Sequence, residues 1–163
     1  MPTPDYVLEL RRKVGNSLLM LPGVAVALLR NNPDTQAKEV LLVQRADNGQ
    51  WTPITGIVDP GEEPHHAAAR EAKEEAGVDI TITRVTAVGT VGPITYPNGD
   101  QCQFVEIDFA AELAPGSPNP FVDDEESTAV AWFEVSNLPP MKDRLRNVIL
   151  AAVEPGPTRM GIQ

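Results

Sequence analysis

The segment from Gly56 to Val78, GIVDPGEEPHHAAAREAKEEAGV, constrains the fold of this chain more than any other stretch. Pro64 suits the first turn of a helix, where its missing N–H is not needed. Gly77 suits the left-handed residue that commonly ends a helix. The sequence therefore predicts a helix over about 64–76.

The predicted helix carries acidic side chains on one face and small side chains on the other. Residues three or four apart share a helix face, which groups Glu71, Glu74 and Glu75. The opposite stripe consists of alanines that let the helix lie close to a sheet: Ala68, Ala72 and Ala76. Arg70 lies four residues before Glu74 and can neutralise or orient it, which leaves Glu71 and Glu75 as an uncompensated pair.

Two uncompensated carboxylates at this spacing repel each other by a few tenths of a kcal/mol when both are solvated. A hard divalent cation removes that conflict. Because the ligands are oxygens, with no His or Cys among them, Mg²⁺ or Mn²⁺ is favoured over zinc. The alternative is a solvated acidic face that binds nothing.

The rest of the chain alternates between β-type runs and helical segments. We expect further helices over 6–13 and 140–153, and strands over 18–29, 40–44, 80–91, 101–111 and 129–135. Residues 51–58 are predicted to be irregular, and the tail TRMGIQ is predicted to be frayed. This order of elements predicts an α/β fold of the α+β type, with a mixed central sheet flanked by helices.

Chain length, cysteine content and net charge restrict the domain organisation, the compartment and the partners expected for this chain. The 163 residues suit a single domain, 1–163, with a short N-terminal extension (1–16) and a tail (155–163). The single cysteine, Cys102, predicts a reducing compartment, with the cytoplasm as the default, and no leader or membrane span is expected. A net charge of -10 without a basic stripe argues against a nucleic-acid partner, so a phosphate-bearing ligand must arrive with cations.

The segment 56–78 resembles the signature of the Nudix hydrolase family, of which the MutT-like pyrophosphohydrolases are part. The matching positions are Gly56, Glu62, Arg70, Glu71, Glu74, Glu75, Gly77 and Val78. Ala72 departs from the larger aliphatic that is usual there, and Ile54 and Thr55 stand where the family commonly has Pro and Gly. The looser resemblance covers residues 20–135.

The resemblance implies an α/β/α sandwich that cleaves, with a divalent metal, the pyrophosphate bond of a nucleoside diphosphate linked to another moiety. By motif position, Glu71 and Glu75 would ligate the metal, Glu74 would ligate or support, and Gly56 would offer its backbone carbonyl. Arg70 would orient the carboxylates. Glu62 would hydrogen-bond within the segment and hold its loop against the helix.

The general base and the substrate stay open at this point. The base comes either from the helix of the signature or from Glu125 or Glu126 on a later loop, and we favour Glu126. Arg45 could meet a phosphate, whereas Trp51 and Tyr96 could stack on a base or fill the core. ADP-ribose-like molecules, dinucleoside polyphosphates and nucleoside triphosphates are all compatible substrates. Pro93 and Tyr96 match two conflicting subfamily rules and do not decide between them.

Two other functions remain as alternatives. One is a nucleotide-sensing domain that binds without hydrolysis, against which the intact Glu71, Glu74 and Glu75 argue. The other is a purely structural or protein-interaction module. A homodimer is compatible with the family, His65 and His66 are expected on the surface, and Cys102 is expected as a buried small residue rather than a nucleophile.

Overall fold

The computed structural model describes residues 3–122 and 125–162, and these residues form three α-helices, one short 3-10 helix (Val135–Asn137) and eight strands. The helices are α1 (Asp5–Val14), α2 (Pro64–Ala76) and α3 (Asp143–Val153). The strands are β1 (Leu19–Asn31), β2 (Lys38–Arg45), β3 (Trp51–Thr52), β4 (Ile54–Ile57), β5 (Ile80–Thr95), β6 (Gln101–Leu113), β7 (Ser127–Glu134) and β8 (Arg159–Met160). Among the described residues, no helix has the length and apolar composition needed to cross a bilayer.

The strands form one mixed sheet centred on β1. Strand β1 pairs in parallel with β6 and antiparallel with β4 and, at its carboxyl end, with β2. Strand β2 extends the sheet by antiparallel pairing with β3 and β7. On the other side, β6 and β5 form the predicted antiparallel hairpin, and β8 adds to β5 in parallel.

Helices cover both faces of this sheet, which confirms the predicted sandwich. The core under α2 contains the alanine stripe of that helix packed on Val26 and Phe109. The core under α3 contains Val148 and Ile149 packed on side chains of the opposite face of β1 and β2. Strand β1 is buried along most of its length because its alternate residues enter the two cores.

Two predictions about irregular segments were wrong. Residues 51–58 contain strands β3 and β4, and residues 54–57 pair in register with residues 23–26 of β1. Residues 158–162 of the C-terminal tail are not frayed, because β8 pairs with Ala87 and Val88 and Ile162 is buried; Gln163 lies outside the described residues. In both cases backbone pairing with a distant strand decides the conformation, and local periodicity carries no signal of such pairing.

The N-terminal helix is attached to the β5–β6 hairpin. Arg11 on α1 donates to the carbonyls of Ser17 and Gln101 and to the sulfur of Cys102, at 2.6, 2.7 and 3.1 Å. Its Nε also lies 3.5 Å from a carboxylate oxygen of Asp100. These contacts fix α1 beside the hairpin, and Cys102 is buried as predicted.

Candidate active site

Helix α2 directs two carboxylates toward the sheet. Pro64 occupies its first turn and Gly77 ends it at φ 67°, as the sequence predicts. Glu71 and Glu75, one turn apart, are only 1% and 7% exposed. Glu74 lies on the outer side of the helix, with half of its side chain exposed. Of the three acidic residues, Glu71 and Glu75 therefore form a buried pair, and Glu74 is exposed.

Arg70 connects the acidic residues of the segment. Its guanidinium donates two hydrogen bonds to Glu62, both 3.0 Å, and one to the carbonyl of Ile57 at 3.1 Å. One further nitrogen of Arg70 lies 2.9 Å from Glu71 and 3.2 Å from Glu74. Arg70 contacts Glu74 as expected, but the expectation that it leaves Glu71 uncompensated was wrong, because the same nitrogen also reaches Glu71.

Glu62 holds the loop before α2 as the resemblance implied. Besides its two bonds from Arg70, a Glu62 oxygen accepts from the backbone N–H of Asp59 at 3.1 Å. The hydrogen bonds from Arg70 hold the pKa of Glu62 below its usual range. The loop is thus closed onto the helix through a charged network.

Gly56 on β4 lies directly against Glu71. A Cβ atom added at Gly56 would come within 2.2 Å of Glu71 Cγ and 2.3 Å of its Oε1, so no other residue type leaves this carboxylate in place. Burial raises the pKa of Glu71 to about 7, although Arg70 opposes that shift. Glu71 Oε2 is buried and accepts no hydrogen bond from the described residues.

An oxygen that is buried without a hydrogen-bond donor, beside a glycine backbone and a second buried carboxylate, fits the chemistry of a hard cation. Glu71, Glu75 and the Gly56 carbonyl are the residues that fit it. Within 3–122 and 125–162, no three His, Cys, Asp or Glu side chains are gathered closely enough to enclose an ion by themselves. Any cation here would therefore keep ligands from water or from a bound phosphate, as Mg²⁺ commonly does.

Glu75, but not Glu71, lines a cavity of about 460 Å³, which we call the acidic cavity. Its lining also includes Glu125, Glu126, Arg45 and Asp47. The loop that carries Glu126 is held by a bond of 2.7 Å from the Ala46 N–H to the Glu126 carbonyl. Both acidic residues that the sequence singled out as alternative bases thus lie in the same cavity as Glu75.

The remaining sequence-predicted residues divide between the cavity and the core. Arg45 lines the acidic cavity, and Tyr96 lines the pockets that adjoin it. Trp51 instead packs edge-on against Phe133, with ring centroids 4.8 Å apart, in the core under α3. His65 and His66 are exposed, as expected.

Sequence reasoning missed Asp47, which binds Arg45 through hydrogen bonds of 2.9 and 2.5 Å. The signal available was an acidic residue two positions after a strand-ending arginine, a spacing too common to single out. It also missed Lys142 and Arg144, which line a pocket next to the acidic cavity although they lie far away in sequence.

Comparison with known proteins shows the family to which this chain belongs. The NUDIX domain family model matches residues 21–152, which is most of the chain. The chain therefore belongs to the Nudix family. Members of this family generally act with divalent metal ions.

Among individual relatives, the chain is similar to putative nudix hydrolase 1 of Caenorhabditis elegans, with 30% identity over 125 residues, 75% of this chain and 31% of that protein. It is also 33% identical over 106 residues to the NAD-capped RNA hydrolase NudC of Vibrio vulnificus, covering 64% of this chain and 37% of that protein. The chain thus spans about a third of the length of these curated relatives.

A solved structure shows the same fold. The ADP-ribose pyrophosphatase of Streptococcus suis superposes with a TM-score of 0.61 at 24% sequence identity. The superposition covers 85% of this chain and 98% of that one.

Proposed function

We propose that this protein hydrolyses the pyrophosphate bond of a nucleoside diphosphate linked to a second moiety, with Mg²⁺ or Mn²⁺. The observation that supports the proposal is the buried pair Glu71 and Glu75, in which Glu71 lies against Gly56 and Glu75 lines the acidic cavity. A NudC protein and an ADP-ribose pyrophosphatase among the similar proteins act, by their names, on substrates of this kind.

In this proposal Glu71, Glu75 and the Gly56 carbonyl hold the cation, and exposed Glu74 supports the site through Arg70. When bound, the cation neutralises charge on phosphate oxygens and favours ionisation of water for attack on phosphorus. Arg70 keeps the Glu71 carboxylate oriented by a charge-assisted hydrogen bond of 2.9 Å.

Glu126 is the proposed general base, with Glu125 as the alternative on the same loop. A base must come within hydrogen-bond reach of the water it deprotonates, directly or through one further water. Both residues line the acidic cavity together with Glu75, which supports this proposal. Arg45, in the same lining, is the proposed contact of a phosphate oxygen.

A substrate panel tests the activity. Nucleotide sugars, dinucleotides and nucleoside triphosphates are incubated with Mg²⁺, and the products are separated by chromatography. We expect turnover in the native protein and a loss of at least about a hundredfold in Glu75→Gln, because the carboxylate charge is removed. Glu63→Gln is the matched control, since this exposed glutamate is the N-cap residue of the same helix but its side chain makes no capping hydrogen bond. Binding without any product would instead identify a sensing domain.

Metal binding has a readout that does not depend on turnover. A cation that binds only the folded protein raises the melting temperature as its concentration increases. We expect Mg²⁺ and Mn²⁺ to stabilise the native protein and to lose that effect in Glu71→Gln. An unchanged melting temperature across millimolar cation would exclude the proposed ligands.

Residence in the cytoplasm and a homodimer also stay proposals. The single Cys102, buried and without a second cysteine in the chain, is compatible with a reducing compartment. Sedimentation of the purified chain distinguishes monomer from dimer.

A further inference from the structure

We infer that a second cavity, enclosed by β6, α3 and the C-terminal residues, binds a small primary ammonium ligand whose N–H groups donate to Asp108. This cavity, which we call the tail cavity, has a volume of about 220 Å³. It lies under α3, on the sheet face opposite α2, and none of the described residues lines both it and the acidic cavity. The inference therefore does not depend on the proposed hydrolysis.

The tail cavity is assembled from parts of the chain that are distant in sequence. Asn147 and Ala151, four residues apart on one face of α3, line it opposite Asp108 of β6. Arg159 of β8 and buried Ile162 complete the lining from the C-terminal side. Pairing of β8 with β5 holds these C-terminal residues in place.

Asp108 supplies the polar group of the cavity that lacks a partner. Its side chain is only 1% exposed, and its Oδ1 is buried without a hydrogen-bond donor among residues 3–122 and 125–162. The carboxyl also shares a hydrogen bond with Glu106, to which it donates when protonated. A buried acceptor without a donor is costly, so a ligand N–H group at Oδ1 would stabilise the folded protein.

The charges around Asp108 favour a cation. Glu106 pairs with Arg144 of α3 at 2.5 Å, and Arg159 pairs with Glu154. Each neighbouring guanidinium thus already has a carboxylate partner. Burial, and then the charge of Glu106, raises the pKa of Asp108 to about 8, so that a proton takes the place of the cation that Asp108 lacks.

Two further charged groups lie near this region. Asp143, in the first turn of α3, lines a pocket that adjoins the tail cavity and adds negative charge there. Arg84 of β5 donates to the carbonyls of Ala151 and Glu154, both at 2.7 Å, so its guanidinium is engaged by the carboxyl end of α3. These groups leave the preference for a cation unchanged.

The size and the ligand groups favour an organic ammonium over a bare metal ion. Among the described residues, no three His, Cys, Asp or Glu side chains are close enough to hold a metal. The volume of about 220 Å³ is several times the roughly 30 Å³ that one water occupies in the liquid. The adjoining pocket, of about 330 Å³, shares Asn147 and Ile162 and adds Val91, which suits a short alkyl chain. The ligand class is therefore a linear primary amine.

Three probes test which property of the ligand is recognised. n-Butylammonium should raise the melting temperature of the native protein as its concentration increases, and calorimetry should give its Kd. n-Butanol lacks the charge and tetramethylammonium lacks the N–H donors, so we expect both to bind at least about tenfold more weakly. Because the chain has a net charge of -10, tetramethylammonium at equal ionic strength also measures general screening.

Two variants test the residues that would hold the ammonium group. Asp108→Asn should weaken n-butylammonium binding at least about tenfold, because the amide cannot carry the opposite charge. Asn147→Ala, at a half-buried helix position, leaves both buried acids intact and should weaken binding at least about threefold. Glu112→Gln is the matched control, since it changes an exposed acid of the same strand β6 that lines neither pocket.

Binding should also depend on pH, because an ammonium group that pairs with ionised Asp108 displaces its proton. With the pKa of Asp108 at about 8, the affinity for n-butylammonium should rise about tenfold from pH 6 to pH 7 and level off above 8. The probe stays charged over this range, since an alkylammonium such as lysine has a pKa of about 10.4. Asp108→Asn should show no such rise.

Several results would overturn the inference. One is an equal response to n-butylammonium, n-butanol and tetramethylammonium, or no response to any of them. Another is an unchanged Kd for n-butylammonium in both Asp108→Asn and Asn147→Ala. An affinity of the native protein that does not change between pH 6 and 8 would show that the probe does not pair with Asp108.

Discussion

Gly56 determines where the Glu71 carboxylate lies. Alanine at this position would place its Cβ 2.2 Å from Glu71 Cγ, so the glutamate would have to move. We expect Gly56→Ala to cost about 1–3 kcal/mol of unfolding free energy and to abolish the Mg²⁺-dependent rise in melting temperature. Gly23→Ala is the control on the paired strand, because its Cβ would meet Phe104 at 3.5 Å and the Gly56 carbonyl oxygen at 3.6 Å, both ordinary contacts that move neither group.

Arg70 compensates a carboxylate that is almost fully buried. Removing a partner of a buried ion pair leaves an uncompensated charge, which commonly costs 3–5 kcal/mol for a fully buried pair. Because Arg70 is partly exposed, we expect Arg70→Met to cost about 2 kcal/mol in urea denaturation at pH 8. The double variant Arg70→Met/Glu71→Gln should recover most of that loss, and strictly additive losses would contradict the compensation.

For single residues, the sequence predicted which residues form the site better than it predicted their burial and their contacts. Spacing along α2 grouped Glu71, Glu74 and Glu75 on one face; the structure agrees for Glu71 and Glu75, whereas Glu74 lies on the outer side of the helix. Their burial was not predicted, because it depends on β4 lying across the helix face. The contact of Arg70 with Glu74 was predicted, whereas its contact with Glu71 was not. Arg70 is also bonded to Glu62 and to the Ile57 carbonyl, which lie before α2, and an argument from helix spacing does not include them.

Among the elements, α2 was predicted to the residue because its signals are local. Pro64 and Gly77 mark its ends through backbone chemistry, and the alanine stripe identifies the face that packs. Strands β3 and β4 were missed because their short sequences pair with partners elsewhere in the chain. The pockets beside the acidic cavity are assembled from β2, β5, α1 and α3, and no local pattern joins such distant segments.

The C-terminal strand β8 is a part of the sheet that the sequence did not predict. Ile162 is buried against Gly89, where an added Cβ would come within 2.6 Å of Ile162 Cγ1. Burial of an isoleucine side chain contributes about 1.5–3 kcal/mol. We expect deletion of residues 158–163 to lower the unfolding free energy by at least about 1.5 kcal/mol, measured by urea denaturation.

Met160 provides the control for this deletion. It lies within β8 but is 88% exposed, so Met160→Ala removes a side chain without removing the strand. Its unfolding midpoint should match that of the native protein. A truncated chain that is as stable as the native one would show that the tail adds nothing to the sheet.

On the scale of the whole molecule, buried acids lie on both faces of the sheet. The side chains of Glu71 and Glu75 are buried between α2 and one face of the sheet, whereas those of Glu106 and Asp108 on β6 are buried between the other face and α3. Arg144 of α3 pairs with Glu106. Burial, and then the neighbouring Glu106, raises the pKa of Asp108 to about 8. The α3 face is therefore assembled around a carboxyl that is protonated at neutral pH.

This protonation makes stability depend on pH in a definite direction. The folded protein keeps a proton on Asp108 that the unfolded chain releases above its ordinary pKa of about 3.9. The stabilisation is complete below about pH 4 and is lost as pH rises through 8, with a slope of at most about 1.4 kcal/mol per pH unit.

Asp108→Asn cannot ionise, yet its amide can still donate a hydrogen bond to Glu106. In urea titrations, the unfolding free energy of this variant should therefore increase relative to that of the native protein as pH rises from 5 to 8. The control Asp34→Asn changes an exposed aspartate, and its unfolding free energy should follow that of the native protein. Parallel curves for Asp108→Asn and the native protein would mean that Asp108 is already ionised in the folded state.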